Sequence, residues 1–161
     1  MGCGTVYNLS HNGKTYGITN AHVCYDYSDK RVYDKNGEEK RQRVKVIKIL
    51  KGTDICLVDR IAHLKNLYAS KKKHSNGTLT FIQGYPKLKY AISFGKIKGS
   101  HYIYDDIHKG EVIWVTNYVN FGSSGSPVVD IDGNVLGTIS MKTFANEGLY
   151  VPIQDFIKEY K

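Results

Sequence analysis

"NFGSSGSPVVDIDGNVLGTIS", residues 120–140, sets two adjacent serines between glycines, then a proline, then an apolar run broken by Asp-Gly. Gly122 and Gly125 permit backbone angles that side chains resist, so the chain turns sharply here and leaves Ser124 projecting from the turn. The alternation that follows reads as two short strands joined by a tight turn, because Asp-Gly supplies the positive φ that such a connection requires. A hydroxyl projecting between strands becomes a nucleophile only beside a base and a group that orients the base. Both must come from elsewhere in the chain.

Outward from this stretch the same texture continues. "GTVYNL", "KTYGITN", "RQRVKVIKIL", "DICLVDR", "LTFIQGY", "YAISFGKIKG", "GEVIWVTN" and "GLYVPI" are short alternating or wholly apolar runs, punctuated by "HNGK", "KNGE" and "SNGT". That is strand spacing with hairpin punctuation. Only the tail has helical periodicity: Ile153, Phe156, Ile157 and Tyr160 recur at three and four after Pro152, which can open a helix. The polar segment "ASKKKHSNG", 69–77, separates two sets of strands. The expected architecture is all-β in one domain of two halves, each closed into a barrel because closure removes exposed edges. Its parts are an N-terminal barrel over about 1–68, a linker over about 69–77, a C-terminal barrel over about 78–152, and a helix over about 153–161 lying on a sheet edge.

At 161 residues there is room for one core or two small sub-domains, and none for an appended module. A hydrophobic content of 41% with 13 tyrosines and 16 glycines excludes a disordered chain. No run approaches the roughly 18 apolar residues of a membrane span, and "MGCGTVYNLS" lacks the basic-then-apolar form of a secretion signal. The net charge of +8 is spread along the chain rather than clustered. Lys71, Lys72 and Lys73 read as a solvated loop, and the alternating lysines of "RVKVIKILK" as the wet face of a strand, so nucleic acid is the lesser partner reading. Cys3, Cys24 and Cys56 have no metal-ligand spacing, and no metal site is expected. Their odd number argues against a disulfide scaffold while leaving one bridge open.

Two further contexts carry chemistry. In "YGITNAHVC" an apolar strand ends at small residues and presents His22 just beyond. His11, His63, His74, His101 and His108 lack that setting. In "TDICLV" a carboxylate, Asp54, heads an apolar run that must be buried, so it stands at the mouth of a strand; a turn aspartate is the plainer alternative.

"TNAHVC", "DICLV" and "GSSGSP", in the order His, Asp, Ser, resemble the trypsin-like (chymotrypsin-fold) serine proteases. "QGYP", "FGKIKG", "IDGNVLGTIS" and "GLYVPI" resemble the later strands of the compact HtrA-like and viral branches. The resemblance implies a double β-barrel of two six-stranded antiparallel barrels. It makes Ser124 the nucleophile, His22 the general base and Asp54 the residue that holds the imidazole, with the N–H groups of Gly122 and Ser124 as the oxyanion hole. Ser140 would support the aspartate and start the strand that pairs with substrate. Tyr118, Val119, Asn120 and Phe121 would form the base and rim of the pocket for the residue before the scissile bond, with Ile139, Met141, Lys142, Gly148 and Tyr150 as walls. No carboxylate stands at that base, which favours an apolar residue of modest size, unless Glu147 folds in and restores selection for a basic one.

Ser123 replaces the aspartate that secreted digestive members use to capture a freed N-terminus, so regulation by loop ordering is expected instead. The same resemblance makes Cys3 and Cys24 neighbours, either bridged or both reduced, and Cys56 a small core residue. No cofactor is implied. The expected partner is a protein or peptide substrate, in a viral or phage processing protease, a small bacterial protease or a fragment of a longer chain, with a cytoplasmic or viral setting favoured; oligomeric state is left open. A rival reading is an inactive module of this fold that binds RNA or a protein through its basic surface.

Overall fold

Asn12 and Gly13 both adopt positive φ, 52° and 76°, the pairing that lets a two-residue turn match the twist of its strands. They join β1 (Tyr7–His11) to β2 (Lys14–Thr19) in antiparallel register, from Tyr7 opposite Ile18 to His11 opposite Lys14. The computed structural model describes residues 4–25, 31–40, 42–50, 52–104 and 108–160. After β2 comes α1 (Ala21–Tyr25), a ribbon of β3 (Val32–Tyr33) and β4 (Glu39–Lys40), then β5 (Val46–Leu50), β6 (Ile55–Val58) and β7 (Asn66–Tyr68). β5, β6, β2, β1 and β7 form one sheet in that order.

The second half comprises β8 (Leu79–Gly84), β9 (Ala91–Tyr104), β10 (Lys109–Tyr118), β11 (Pro127–Val129), β12 (Val135–Lys142) and β13 (Glu147–Pro152). These close into a barrel in the order β10, β13, β12, β11, β8, β9, every pair antiparallel. The all-β class and the closed six-stranded second half agree with the sequence reading. The first half has its own form, a five-stranded sheet whose outer strand β7 lies parallel to β1. The parallel pairing has a local cause. Buried Asn8 donates to the carbonyls of Ile61 (2.8 Å) and Leu64 (3.1 Å) and accepts from the Ile61 N–H (2.8 Å), so the chain after β6 crosses over instead of folding back as a hairpin.

The tail departs from the expected helix of 153–161. α2 spans only Gln154–Ile157, followed by turns. Nor does it lie along a sheet edge: Ile153, Phe156 and Tyr160 enter the core of the first sheet beside Tyr7, Leu9, Ile18, Leu50, Ile55 and Leu57, together with Val135 and Val151 from the barrel. The Tyr160 hydroxyl donates to the Leu9 carbonyl at 2.8 Å. These apolar side chains have more surface to bury beneath the sheet than at its rim, and burial decides. Among the described residues no helix is long and apolar enough to cross a membrane.

The cysteine expectation also needs correction. Cys24 is disulfide-bonded to Cys56, not to Cys3, and neither is a free thiol; Cys3 lies outside the described residues. The bond forms because α1 folds directly onto the start of β6, bringing the two Cα atoms within 6.5 Å.

Candidate active site

Asp54 stands immediately before β6 with 1% of its surface exposed and φ of 56°, in the left-handed region that Asp tolerates better than most residues. A buried carboxylate must collect donors, and the start of α1 supplies them. Asp54 Oδ1 accepts the His22 N–H at 3.0 Å, and Oδ2 lies 2.7 Å from His22 Nδ1. Oδ2 also accepts the Ser140 hydroxyl at 2.7 Å, while the Asp54 carbonyl accepts from Ala21 N–H and Asn20 Nδ2, each at 3.0 Å. A carboxylate only accepts, so the imidazole proton sits on Nδ1 and the basic nitrogen of the neutral ring is Nε2.

Ser124 is held by two consecutive turns. The Ser123 N–H donates to the Asn120 carbonyl (2.9 Å) and the Ser126 N–H to the Ser123 carbonyl (3.0 Å). Each turn has a glycine with φ of 90° at its third position, Gly122 and Gly125, as type II geometry demands. Neither glycine can be replaced freely: a Cβ on Gly122 would lie 2.2 Å from the Tyr85 carbonyl oxygen, and one on Gly125 2.1 Å from that of Thr5.

The peptide planes are fixed from outside the turns. Lys87 N–H donates to the Phe121 carbonyl at 2.8 Å, and across a trans peptide the Gly122 N–H must then point the opposite way. The Ser123 carbonyl is likewise taken by Ser126, which directs the Ser124 N–H away from it. Among the described residues, neither of these N–H groups has a protein acceptor. Thr5 ties the turns to the first sheet, its hydroxyl donating to the Gly122 carbonyl (3.0 Å) and its N–H to the Ser124 carbonyl (2.7 Å), and the Thr19 hydroxyl in turn donates to the Thr5 carbonyl (2.8 Å).

The structure brings the sequence candidates to one junction. Gly4 is wedged between them: a Cβ there would lie 2.7 Å from Val23 Cγ2, next to His22, and 3.0 Å from the Ser124 carbonyl oxygen. From the other side, Ile139 exchanges backbone bonds with Gly125 and Ser126, both 2.9 Å, while its neighbour Ser140 reaches Asp54. His22 keeps 35% of its side chain exposed, and Ser124 is half-buried.

The candidate pocket residues divide. Val119, Ile139 and Gly148 are buried together, with Ile139 Cδ1 2.8 Å and Val119 Cγ1 3.2 Å from where a Gly148 Cβ would stand. Tyr150 belongs to the same apolar cluster, its hydroxyl 2.6 Å from His74 Nδ1, and burial pushes that phenol far above its ordinary pKa. Tyr118, Phe121 and Lys142 are exposed, and Met141 is half-buried. Asn120 is half-buried and donates to the Tyr118 hydroxyl at 2.8 Å. Glu147 is engaged elsewhere, accepting from Trp114 Nε1 (2.9 Å) and Lys98 Nζ (3.1 Å).

Sequence reasoning missed Thr5, Thr19, Asn20 and the Lys87 backbone. Asn20 had a signal, its place beside the Ala-His pair. The others act across the junction and left none.

A β-barrel joined to a second sheet, with histidine, buried aspartate and a glycine-flanked serine at the seam, is the architecture of trypsin-like serine proteases. The chain belongs to the family described as "Trypsin-like peptidase domain", whose profile matches residues 2–137. No curated protein sequence matches it. Among solved structures it is similar to the Rv3671c protease from M. tuberculosis in its active form, with 21% identity over 94% of this chain and 69% of that one and a TM-score of 0.79. It is also similar to the HtrA-type protease AlgW with a decapeptide (19% identity, 94% of this chain, 48% of that one, TM-score 0.78). A third likeness is to a serine endoprotease from Yersinia pestis (20% identity, 96% of this chain, 55% of that one, TM-score 0.75). The chain therefore spans from 48 to 69% of the length of these three proteins.

Proposed function

We propose that the chain is a serine endopeptidase that hydrolyses peptide bonds through an acyl-enzyme. Ser124 Oγ attacks the scissile carbonyl as His22 Nε2 takes its proton, and Asp54 stays ionised and stabilises the imidazolium across the 2.7 Å contact. The oxyanion forms against the N–H groups of Gly122 and Ser124, which the fixed turns aim before substrate arrives. His22 then returns the proton to the leaving amine, and a water, activated by the same imidazole, attacks the acyl-enzyme and frees Ser124. What carries this reading is the hydrogen-bonded set of His22, Asp54 and Ser140 next to a serine turn whose two N–H groups have no competing acceptor among the described residues.

The substrate is a peptide strand that lies along Ser140, Met141 and Lys142. It presents an apolar residue of modest size to Val119, Ile139, Gly148 and Tyr150, with Tyr118, Asn120 and Phe121 at the rim. Support for the apolar preference comes from the buried, uncharged lining and from the commitment of Glu147 to Lys98 and Trp114. AlgW, whose fold this chain shares, was solved with a decapeptide, in keeping with a peptide substrate here.

The test is labelling with a fluorophosphonate probe. Wild type should be modified, and Ser124→Ala and His22→Ala should lose labelling and turnover by at least about 10³-fold. A folded wild type that takes no label would sink the enzyme reading and favour the binding-module alternative. Cleavage of a peptide library by the labelled protein then reads the pocket.

A further inference from the structure

α1 is five residues long and buries only Ala21 and Cys24. So short a helix has no stability of its own, and the position of His22 depends on how the ends of α1 are anchored. The first end is tied to Asp54 by bonds from Asn20, Ala21 and His22. The second end is tied by the disulfide from Cys24 to Cys56. Each cysteine follows one member of the histidine–carboxylate pair by two residues. The bond thus joins the element carrying the base to the element carrying its orienting acid, one step behind the hydrogen bonds between them.

We propose that the Cys24–Cys56 disulfide is a positioning device for the His22–Asp54 pair, so that the oxidised protein is the competent form of the enzyme. This rests on the endopeptidase reading. Reduction replaces the covalent link by two thiols that must stand at van der Waals separation. Cys24 and Cys56 are 6% and 0% exposed in an apolar cluster with Val32, Val58 and Ile61, a close-packed setting with no slack for the extra separation. β6 is buried along its whole length and paired on both sides, so α1 is the element that gives way. A shift of about 1 Å in a reacting group is enough to cost about 100-fold in rate. Asp54 adds to the dependence, because its left-handed backbone persists only while its surroundings hold it.

Reduction balances with a small dithiol. One thiolate of the reagent attacks a sulfur of the bond, and its second thiol resolves the mixed disulfide. Cys24 and Cys56 leave as thiols, with two electrons and two protons gained, and the reagent leaves as a cyclic disulfide.

The experiment uses the full chain in a Cys3→Ala background, so that only this bridge responds. Oxidised protein, dithiol-reduced protein and the Cys24→Ala/Cys56→Ala variant are compared well below their melting temperatures. The expected result is a kcat lower by about 10- to 100-fold in the last two, with KM within about twofold and a displaced pH profile of kcat/KM. Reoxidation should restore the reduced protein and leave the double variant unchanged. A bond that only stabilised the fold would lower the melting temperature and leave kcat and the pH profile alone, and that outcome overturns the proposal. If the oxidised protein takes no fluorophosphonate label, the endopeptidase reading fails separately, and positioning is read from the downfield proton resonance of His22 Nδ1. Loss of that resonance on reduction supports the clamp; its persistence rules the clamp out.

Discussion

Gly122 shows how one missing carbon sets the chemistry of the turn. Its φ of 90° suits glycine, and the space a Cβ would need is occupied by the Tyr85 carbonyl oxygen at 2.2 Å. Gly122→Ala must therefore rotate the peptide and swing its N–H out of line with Ser124. The expected loss is about 10²–10³ in kcat with a folded protein, since the proposed oxyanion hole would lose one of its two donors. Gly37→Ala is the matched control: its φ is 79°, nothing stands within 4 Å, and it should cost about 1 kcal/mol of stability with unchanged kcat. Steady-state kinetics and denaturant titration of the two variants separate backbone strain from lost catalysis. At this scale the sequence was most legible. His22, Asp54 and Ser124 each announce themselves through their own neighbours, glycines at a turn or a strand mouth. Thr5 and Lys87 do not: Lys87 serves the turns through an N–H that every residue type except proline carries, and Thr5 through its N–H and a hydroxyl whose partner lies 117 residues away.

Between β11 and β12 the Asp-Gly turn is organised by Asp130, and here an element's stability depends on pH. Asp130 Oδ1 accepts the N–H groups of Asp132 (2.8 Å) and Asn134 (3.1 Å), and Oδ2 accepts the Ser70 hydroxyl (2.5 Å). Burial pushes this carboxyl up, but the Ser70 hydroxyl, the two N–H groups and the charge of Lys72 together hold its pKa below the ordinary value. A depressed folded pKa gives stability that is fully present above the unfolded value, about 4, and is lost as pH falls through the folded one. Asp130→Asn should thus be less stable than wild type by about 1.5–3 kcal/mol at pH 7, and the gap should narrow on acidification below about pH 4. Urea titrations at pH 7 and pH 3 check this, and a gap that stays constant contradicts it. The turn itself was legible from "IDGN", as the β1–β2 turn was from "HNGK". The left-handed pair Lys87 and Leu88, with φ of 52° and 66°, was not, because neither residue favours that region and their backbone N–H bonds to Phe121 and Tyr85 are not written in their own side chains.

The two halves of the molecule are legible as period-two patterns around a polar linker, but their dependence on each other is not, because it is built from contacts more than a hundred residues apart. The core beneath the first sheet takes Val135, Val151, Ile153, Phe156 and Tyr160 from the end of the chain, and Tyr7 bonds Thr138 across the seam at 2.6 Å. Five buried apolar side chains at about 1.5–3 kcal/mol each represent on the order of 10 kcal/mol, as much as a whole domain's net stability. The first half should therefore not fold alone. Cutting between Lys73 and His74, next to the exposed lysine run 71–73, gives fragments that test this. Fragment 1–73 should show a collapsed amide spectrum, while 74–161 should keep strand structure through its closed barrel. Mixing the two should restore dispersed resonances and, with them, fluorophosphonate labelling at Ser124, because the histidine and the serine come from opposite fragments. A dispersed spectrum from 1–73 by itself would show that the tail is an ornament to the first sheet rather than part of its core.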